Sequence, residues 1–507
     1  MEFKTERYKI TVEEILDGGP GGYESDYLTR EGDSATPELY DVLGTFQGKL
    51  LPVSNRNIRQ RNGGALVEAL RNNAPIGIAS GFKPSGAYHF GHRLTSSAVA
   101  FFQKNGVQVF MPVADVECDM DTRLSKEQYR FWAADNLLDW GANGVNLDAT
   151  HVYLQSEETR VNLLAYFVAR SLKFDFATDI YGMEKMVKNF PFLFAGITQV
   201  GDIILPQHSD FGNHHSFMVS GQDQDGHMKM TVALTETSCE NGIALLGVKT
   251  VPSGFYIPHI RGINGDKASS SKIEGTLFLG SGPQQEDLDE RIKSTLRKFD
   301  NADSYHVKRC ALDMVRFIDI FNRENSVDFR AIVEETKYKD LVRIRDAKRG
   351  NDILLEMDTE ESKIINWLFG QYRVSELSKA NTDEEGRELG AKIQGEEIRT
   401  RNQFLSQHRL DEYLIQLCED AGQKNTEIVR DTLPTALREH QQKREAILEY
   451  AKARTSYSPQ GGWSLDDDKP TQPEFWKVPE RSVVDESKRN STQWFNIVDA
   501  VADKIIP

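Results

Sequence analysis

The chain has 507 residues, of which 39% are apolar and 27% charged; this is the composition of a globular protein and excludes a disordered or membrane-embedded chain. With 61 basic and 77 acidic residues the net charge is −16, which argues against nonspecific coating of nucleic acid but permits a local basic face. Four separated cysteines without a CxxC pair exclude a disulfide scaffold, and the charged N-terminus has no apolar leader, so we expect a cytoplasmic protein.

The first 285 residues comprise an N-terminal stretch and, from Ile76 onward, a region in which strand and helix patterns alternate. Residues 1–75 mix Gly-rich and charged stretches, and we interpret them as an N-terminal appendage. A strand at Ile76–Ala79, a helix around Leu94–Phe102 and a strand at Val107–Met111 together have the length of one βαβ unit, which favours a parallel sheet with right-handed crossovers. Further elements predicted up to residue 285 are helices at Lys126–Trp140 and Asn162–Leu172 and strands at His151–Leu154 and Ser216–Ser220.

After residue 285 the strand patterns fade and helical patterns dominate. We expect an all-α domain at 286–454, followed by a Pro/Gly/Asp-rich, loose tail at 455–507 that ends in a short helix, Thr492–Lys504. Trp476 and Trp494 in this tail could bind a partner, but we expect them to pack back onto the body. The helices predicted in the all-α domain are Leu288–Lys298, Cys310–Asn322, Glu361–Leu368, Leu410–Asp420 and Thr426–Ala453.

A turn at 81–92 follows the first strand of the βαβ unit. Backbone N–H groups and the positive end of the helix dipole suit a phosphate at such a turn. His89 and His92 lie three positions apart, and Gly91 between them lets a ligand approach the backbone. Imidazole N–H groups can stabilise the charge that grows on phosphate oxygens in a transition state. The alternative is an ordinary turn with two surface histidines.

A second motif lies nearly 180 residues later, at Asp266–Lys272. Lys267 is followed, after Ala268, by three consecutive serines, and Gly265 and Gly275 border the segment, which indicates a loop that can close on polyphosphate. The ammonium is a compact charge that suits a departing pyrophosphate. Taken alone, such a loop could equally be a solvated linker.

Together the two motifs resemble the HIGH and KMSKS signatures of class I aminoacyl-tRNA synthetases. The tetrapeptide at His89–His92 matches HIGH at three positions, and Lys267–Ser271 matches KMSxS at three, with Ala268 in place of the usual methionine. Ser220–Asp225, which could instead be a polar turn before a helix, resembles the GxDQD segment of tryptophanyl-tRNA synthetases of the archaeal and eukaryotic type. Leu437–Arg444 resembles the C-terminal helix of that family's anticodon-binding domain. The resemblance covers about residues 55–454.

The resemblance implies a fold and a set of site residues. It implies a Rossmann-like catalytic domain at 76–285 and a helical anticodon-binding domain at 286–454. His89, His92 and Lys267 are the implied catalytic residues. The implied ATP-binding residues are Gly81, Pro84, Ser85, Gly86, His89, Gly91, His92, Lys267, Ser269, Ser270 and Ser271. The implied amino-acid-binding residues are Glu117, Gln199, Asp202 and Gln224.

The implied activity is ATP-dependent activation of tryptophan and its transfer to tRNA by a homodimer. Mg²⁺ is expected to arrive on the nucleotide, with no metal site of the protein's own; His214 and His215 with Asp210 could suggest one, but adjacent histidines point in different directions. Two departures from the family pattern leave the residues of the side-chain pocket undetermined. Ala79 replaces a frequent aromatic residue, and Pro112 replaces a glutamine that binds the indole N–H in eukaryotic members. The alternatives are a tyrosine-specific ligase of the same class and a paralogue that binds tryptophan or tRNA without charging it.

Overall fold

The computed structural model describes residues 33–34, 59–120, 124–181, 191–240, 243–257, 259–282, 287–302, 306–307, 310–311, 314, 410–456, 471–489 and 493–502. The chain divides into two compact units. One comprises Pro20–Val327 and Arg430–Pro507, and the other Met1–Gly19 and Asp328–Val429. No helix in these described ranges is both long enough and apolar enough to cross a membrane.

A twisted sheet forms the centre of the first unit. Its seven strands in the described residues follow the order β1-β2-β7-β6-β3-β4-β5. The run from β7 to β5 is parallel, whereas β1 and β2 join its edge in antiparallel orientation. The strands are β1 (Asp33–Ser34), β2 (Arg59–Arg61), β3 (Ile76–Ala79), β4 (Gln108–Val113), β5 (His151–Leu154), β6 (His215–Gly221) and β7 (Ser253–Ile257).

The strand order reverses beside β3, and this reversal fixes where a ligand can bind. Strand β3 pairs with β4 on one side and with β6 on the other, so that Ile78 lies between Val109 and Phe217. All four residues of β3 are buried, as expected for a parallel strand covered on both faces. In an open parallel sheet the crevice at such a reversal opens at the carboxyl ends of the strands.

Helices cover the sheet and connect its strands. Helix α4, for example, begins at Lys126 because Ser125 accepts from the Gln128 backbone N–H, and the Gln128 side chain accepts from Ser125 in return. The helices are α1 (Gly63–Arg71), α2 (Phe90–Lys104), α3 (Asp115–Asp119), α4 (Lys126–Ala142), α5 (Thr159–Ala169), α6 (Phe174–Tyr181), α7 (Pro191–Ile204), α8 (Asp225–Glu240), α9 (Leu288–Asn301), α10 (Leu410–Ser456) and α11 (Trp494–Asp499).

The parallel α/β architecture predicted from the sequence is confirmed. Strands β3 and β5 have the predicted bounds, and β4 and β6 differ by one or two residues. Strand β7 was not predicted, because its five residues carry a glycine and show no alternation. Residues 59–71, placed in the appendage by sequence, contribute strand β2 to this sheet and helix α1, which packs against β6 and β7. The all-α anticodon-binding domain stays a prediction: Glu361–Leu368 and most of Cys310–Asn322 lie outside the described residues.

Two helices predicted near the C-terminal end are a single helix. Leu410–Asp420 and Thr426–Ala453 both belong to α10, which runs for 47 residues from Leu410 to Ser456. The expected break between Asp420 and Thr426, a stretch that contains Gly422, is therefore wrong. A glycine inside a helix costs only about 1 kcal/mol relative to alanine, which is too little to end a long helix by itself.

The described part of the tail belongs to the first unit, packs against its other elements and is not loose. Trp476 and Trp494 are buried, which confirms the expectation that they pack back onto the body. The indole Nε1 of Trp476 donates to the Gly141 carbonyl at 3.0 Å, and that of Trp494 donates to Asp148 Oδ1 at 2.8 Å. Both acceptors belong to α4 or the turn after it. The final helix, α11, ends at Asp499, whereas Thr492, Asp503 and Lys504 of the predicted range lie outside the described residues.

Candidate active site

A cleft opens at the carboxyl ends of the parallel strands, beside β3 and β6. Its volume is about 760 Å³. Residues that are distant in sequence meet there, including His92 after β3 and Lys267 after β7. Of the residues singled out by sequence, those lining the cleft are Gly81, Ser85, His89, Gly91, His92, Glu117, Gln199, Asp202, Gln224, Lys267, Ser269, Ser270 and Ser271.

Two residues assigned to ATP by sequence lie behind the cleft wall. Pro84 and Gly86 are buried and do not line the cavity. Gly86 instead allows the turn to approach the serine loop, because a Cβ at this position would lie 2.9 Å from Ser270 Cβ. The Gly86 carbonyl accepts from the Asn136 side chain at 3.2 Å. Both residues therefore shape the turn from behind.

The two predicted imidazoles form one stacked pair at the start of α2. His89 is the N-cap, and its Nδ1 accepts from the Gly91 backbone N–H at 3.1 Å. His92 Nδ1 accepts from the His89 backbone N–H at 3.4 Å, and the two rings stack with centroids 3.8 Å apart. An imidazole that accepts at Nδ1 and is neutral carries its proton on Nε2. Each ring therefore offers one N–H donor.

Burial keeps both imidazoles neutral at physiological pH. Burial, followed by the proximity of His92 and Lys267, holds the pKa of His89 well below its usual value. Burial and then Lys267 lower the pKa of His92 to about 4, against the opposing effect of Asp223. The pair is thus suited to donate hydrogen bonds to an anion without competing with Lys267 for positive charge.

The serine-flanked loop closes over the imidazole turn. Ser270 Oγ donates to the Ala87 carbonyl at 2.9 Å, and the Ser269 backbone N–H donates to Thr276 Oγ1 at 3.0 Å. Ala268, which stands where the resembling family has methionine, is buried. Lys267 Nζ lies 2.7 Å from Asp223 Oδ2, and about a quarter to a third of each side chain is exposed. The lysine is therefore held at the cleft by a carboxylate that a polyanion can replace.

Three residues near this lysine were not assigned by sequence. Asp223, His227 and His259 line the same cleft. Burial alone would raise the pKa of Asp223, but the neighbouring His259 and Lys267 lower it to about 2, so the carboxylate is ionised at neutral pH. Asp223 belongs to the Gln-Asp-Gln-Asp run of the Ser220–Asp225 segment that resembles the family motif, whereas no local sequence pattern indicates His259.

The other end of the cleft combines apolar walls with amides, of which Gln199 and Gln224 are partly buried, and one buried carboxyl group. Gln199 Nε2 donates to Gln224 Oε1 at 3.3 Å. Asp202 accepts from the Tyr153 hydroxyl at 2.9 Å and from Gln155 Nε2 at 2.6 Å. Burial raises the pKa of Asp202 to about 7, although both hydrogen bonds oppose the rise. The apolar side chains lining the cleft at this end are Ala79, Pro112, Ala195, Ile203 and Met218.

Glu117 lies at a more exposed part of the cleft. Its Oε1 is 3.2 Å from Lys83 Nζ, and 40% of the Glu117 side chain is exposed.

Gln155 and Tyr153 were not predicted as site residues, because they lie at the end of a strand whose sequence pattern indicates only burial. Their proximity to Asp202, nearly 50 residues later, depends on α7 packing over the sheet.

The weighed alternative of a metal site at His214 and His215 is not supported by their surroundings. His215 Nδ1 and Nε2 are each 2.9 Å from a hydroxyl oxygen, of Thr250 and Ser253 respectively. His215 begins β6, at the end of the sheet opposite the cleft. Across the described ranges, no group of three or more His, Cys, Asp or Glu side chains is arranged to hold a metal ion.

Comparisons with known proteins agree on one family. The model of tRNA synthetases class I (W and Y) matches residues 71–350. A tryptophan–tRNA ligase of Hyperthermus butylicus is 31% identical over 221 residues, covering 42% of this chain and 56% of that protein. A tryptophan–tRNA ligase of Methanocaldococcus jannaschii is 30% identical over 261 residues, covering 50% of this chain and 68% of that protein. The chain thus spans 56% of the length of the first relative and 68% of the length of the second.

Among solved structures, a tryptophanyl-tRNA synthetase of Aeropyrum pernix aligns with a TM-score of 0.44 and 22% identity. The alignment covers 71% of this chain and 85% of that one.

Proposed function

Because the chain belongs to the family of class I tRNA synthetases for tryptophan and tyrosine, we propose that it is a tryptophan–tRNA ligase. In this proposal it uses ATP to activate L-tryptophan and then transfers the aminoacyl group to tRNA. The observation that supports it most directly is the meeting of His89, His92 and Lys267 in a single cleft whose other end is lined by apolar side chains and amides. The curated relatives described above carry this activity in their names.

At the nucleotide end, the proposal assigns the phosphates to three donors. Nε2–H of His89 and of His92 would donate to phosphate oxygens, and Lys267 would move from Asp223 to the departing pyrophosphate. Gly81, Ser85 and Gly91, which line the cleft, would contact adenine and ribose. Mg²⁺ enters as part of the MgATP substrate and is bound by the phosphate oxygens.

At the amino-acid end, the indole ring would lie between the apolar walls. Gln199, Gln224 and Glu117 would bind the α-ammonium group, and Asp202 would fix the polar floor of the pocket. Gln155 would supply the hydrogen-bond acceptor for the indole N–H, and the sequence did not identify this acceptor. Because its Nε2 donates to Asp202, the remaining polar atom of its amide is Oε1, an acceptor.

In the first step a tryptophan carboxylate oxygen attacks the α-phosphorus of ATP, and the bond to the bridging oxygen of pyrophosphate breaks. The products are tryptophanyl-adenylate and pyrophosphate, and no net proton transfer is required. The protein acts by positioning the two substrates and by stabilising charge on the phosphate oxygens. In the second step a ribose hydroxyl at the end of tRNA attacks the carbonyl carbon, and the bond from that carbon to the phosphate oxygen breaks. AMP leaves, and the hydroxyl proton passes to a phosphate oxygen of AMP or to water.

We expect a homodimer in the cytoplasm with tRNA(Trp) as its nucleic-acid partner. Anticodon binding is assigned to 286–454, most of which lies outside the described residues. Sedimentation equilibrium tests the dimer independently of the activity.

Pyrophosphate exchange tests the function directly. The purified full chain is incubated with ATP, labelled pyrophosphate and one amino acid at a time. Exchange that depends on tryptophan, followed by charging of a tRNA(Trp) transcript, supports the proposal. Exchange that depends on tyrosine would establish the other specificity of the family, and binding of tryptophan without exchange would establish a non-charging paralogue.

A further inference from the structure

The cleft contains four histidines, two more than the signature turn supplies. His227 and His259 line the cavity together with His89 and His92. His259 lies two residues after the end of β7, far in sequence from the signature turn. Only 9% of its side chain is exposed. The ring packs closely against the backbone at Gly221, where an added Cβ would lie 2.7 Å from His259 Cε1.

The ring nitrogen that His259 presents has no hydrogen bond within the described structure. Its Nε2 is buried, and the nearest recorded anion, Asp223 Oδ1, lies 3.5 Å away. A buried polar atom without a hydrogen bond destabilises the protein and is rare in folded structures. Such an atom beside a cleft indicates a group that acquires its partner from a ligand.

Asp223 connects His259 to the lysine of the loop. Its Oδ2 lies 2.7 Å from Lys267 Nζ, and its Oδ1 is the oxygen nearest to His259 Nε2. Burial, followed by Lys267, lowers the pKa of His259 to about 4, so the ring is neutral at physiological pH. The facing carboxylate favours the tautomer with its proton on Nε2, since the other tautomer would direct a lone pair at an anion.

We propose that His259 is a further catalytic residue, whose Nε2–H donates to a phosphate oxygen of the bound nucleoside triphosphate. Asp223 faces both His259 and Lys267 before the nucleotide binds. The phosphate oxygens then take over both donors, one neutral and one cationic. The inference rests on the proposed function, which supplies the triphosphate, and assigns to that site a residue outside the two signature motifs.

Calorimetric titration of the full chain with ATP and with adenosine tests this contact. His259→Leu removes the donor at similar volume, and His259→Gln retains an N–H donor. We expect His259→Leu to weaken ATP binding about tenfold while adenosine affinity changes less than twofold, and His259→Gln to recover most of the loss. His208→Leu is the matched control, because His208 has a similarly buried side chain outside the cleft and should leave both affinities unchanged.

Equal losses for ATP and adenosine, or wild-type ATP affinity in His259→Leu, would overturn the inference. If His259→Leu does not fold, ¹⁵N spectra of the wild-type protein decide the question. ATP should then shift the Nε2 resonance of His259, identified by its absence in His259→Gln, and adenosine should not; a resonance that ATP leaves in place contradicts the contact. Failure of the proposed function is seen separately, as wild-type protein that binds ATP but shows no exchange with tryptophan.

Discussion

The cleft and the contact between α4 and α10 both bury acidic and basic side chains, but they hold them in different ways. In the cleft, Lys267 and Asp223 keep 28% and 32% of their side chains exposed. Between α4 and α10, Arg444 is 1% exposed and its partners Asp135 and Asp139 are not exposed at all. The first pair is accessible to a ligand, whereas the second is closed.

The side chains of the closed cluster bond one another, although Asp135 Oδ2, Asp139 Oδ2 and Arg444 Nε have no hydrogen-bond partner among the described residues. Arg444 Nη2 lies 2.5 Å from Asp135 Oδ1 and 2.7 Å from Ser281 Oγ, while its Nη1 bonds Asp139. His440 Nε2 lies 2.8 Å from the same oxygen of Asp139. Two carboxylates four residues apart on α4 thus share one guanidinium. The contrast indicates that the buried cluster maintains the fold, and that the cleft pair is kept weak enough to be exchanged for substrate.

The largest effect should come from breaking the closed cluster. Arg444→Leu leaves two buried carboxylates without their cation, and we expect it to lower the unfolding free energy by about 3–5 kcal/mol. Urea denaturation monitored by circular dichroism measures this. The matched control is Arg430→Leu on the same helix, where the pair with Asp300 is about half exposed and little change in the urea midpoint is expected. Equal midpoints for the two variants would remove the distinction between the regions.

The next effect should be on rate alone. Lys267→Ala removes the cation proposed for pyrophosphate, and we expect the ATP–pyrophosphate exchange rate to fall about 10²–10³-fold with tryptophan affinity and the urea midpoint nearly unchanged. Lys272→Ala is the control, because Lys272 is an exposed lysine of the same loop paired with Asp266. An unaltered exchange rate in Lys267→Ala would remove Lys267 from the proposed mechanism.

A third test measures how much a buried, neutral histidine lowers the unfolding free energy at acid pH, at a site away from both regions. Burial, and then His214, lowers the pKa of His215 from 6.5 to about 4. The unfolded chain therefore binds a proton that the folded protein refuses, so the unfolding free energy must fall as pH drops from 6.5 towards 4. At pH 5 we expect a cost of about 2 kcal/mol from this residue. Urea unfolding at pH 7 and pH 5 should show a smaller pH difference in His215→Gln but not in the exposed variant His214→Gln.

How much of this could be predicted from sequence differs between the two regions. The cleft motifs are local: His89 and His92 share one helix start, and Lys267 lies in one serine-rich loop, so each can be recognised in a short segment. The closed cluster joins residues about 305 positions apart, and an aspartate on a helix has the same local pattern whether it faces solvent or Arg444. Such contacts are determined by helix packing, which the periodicity of a single segment does not specify.

The amino-acid end of the cleft shows the same limit. Sequence assigned Asp202 through the resemblance, but Gln155 and Tyr153 became recognisable only once α7 was seen to lie over β5. Ala79 and Pro112 were identified as departures, and the structure places both on the apolar wall of the pocket. A residue that replaces the missing acceptor has to come from a different strand, and a single sequence gives no reason to choose that strand.

The smallest effect should be on substrate choice at this end. Gln155→Leu removes the acceptor proposed for the indole N–H, and we expect kcat/KM for tryptophan to fall about tenfold, since one hydrogen bond to an uncharged partner is lost. The analogue with sulfur in place of the ring N–H cannot donate, so its kcat/KM should change less than twofold. Because a general loss of packing would lower both values together, the ratio of the two isolates the hydrogen bond. A ratio equal to that of the wild type would place the indole N–H against another group, and would leave Gln155 with its contact to Asp202 as its only assigned role.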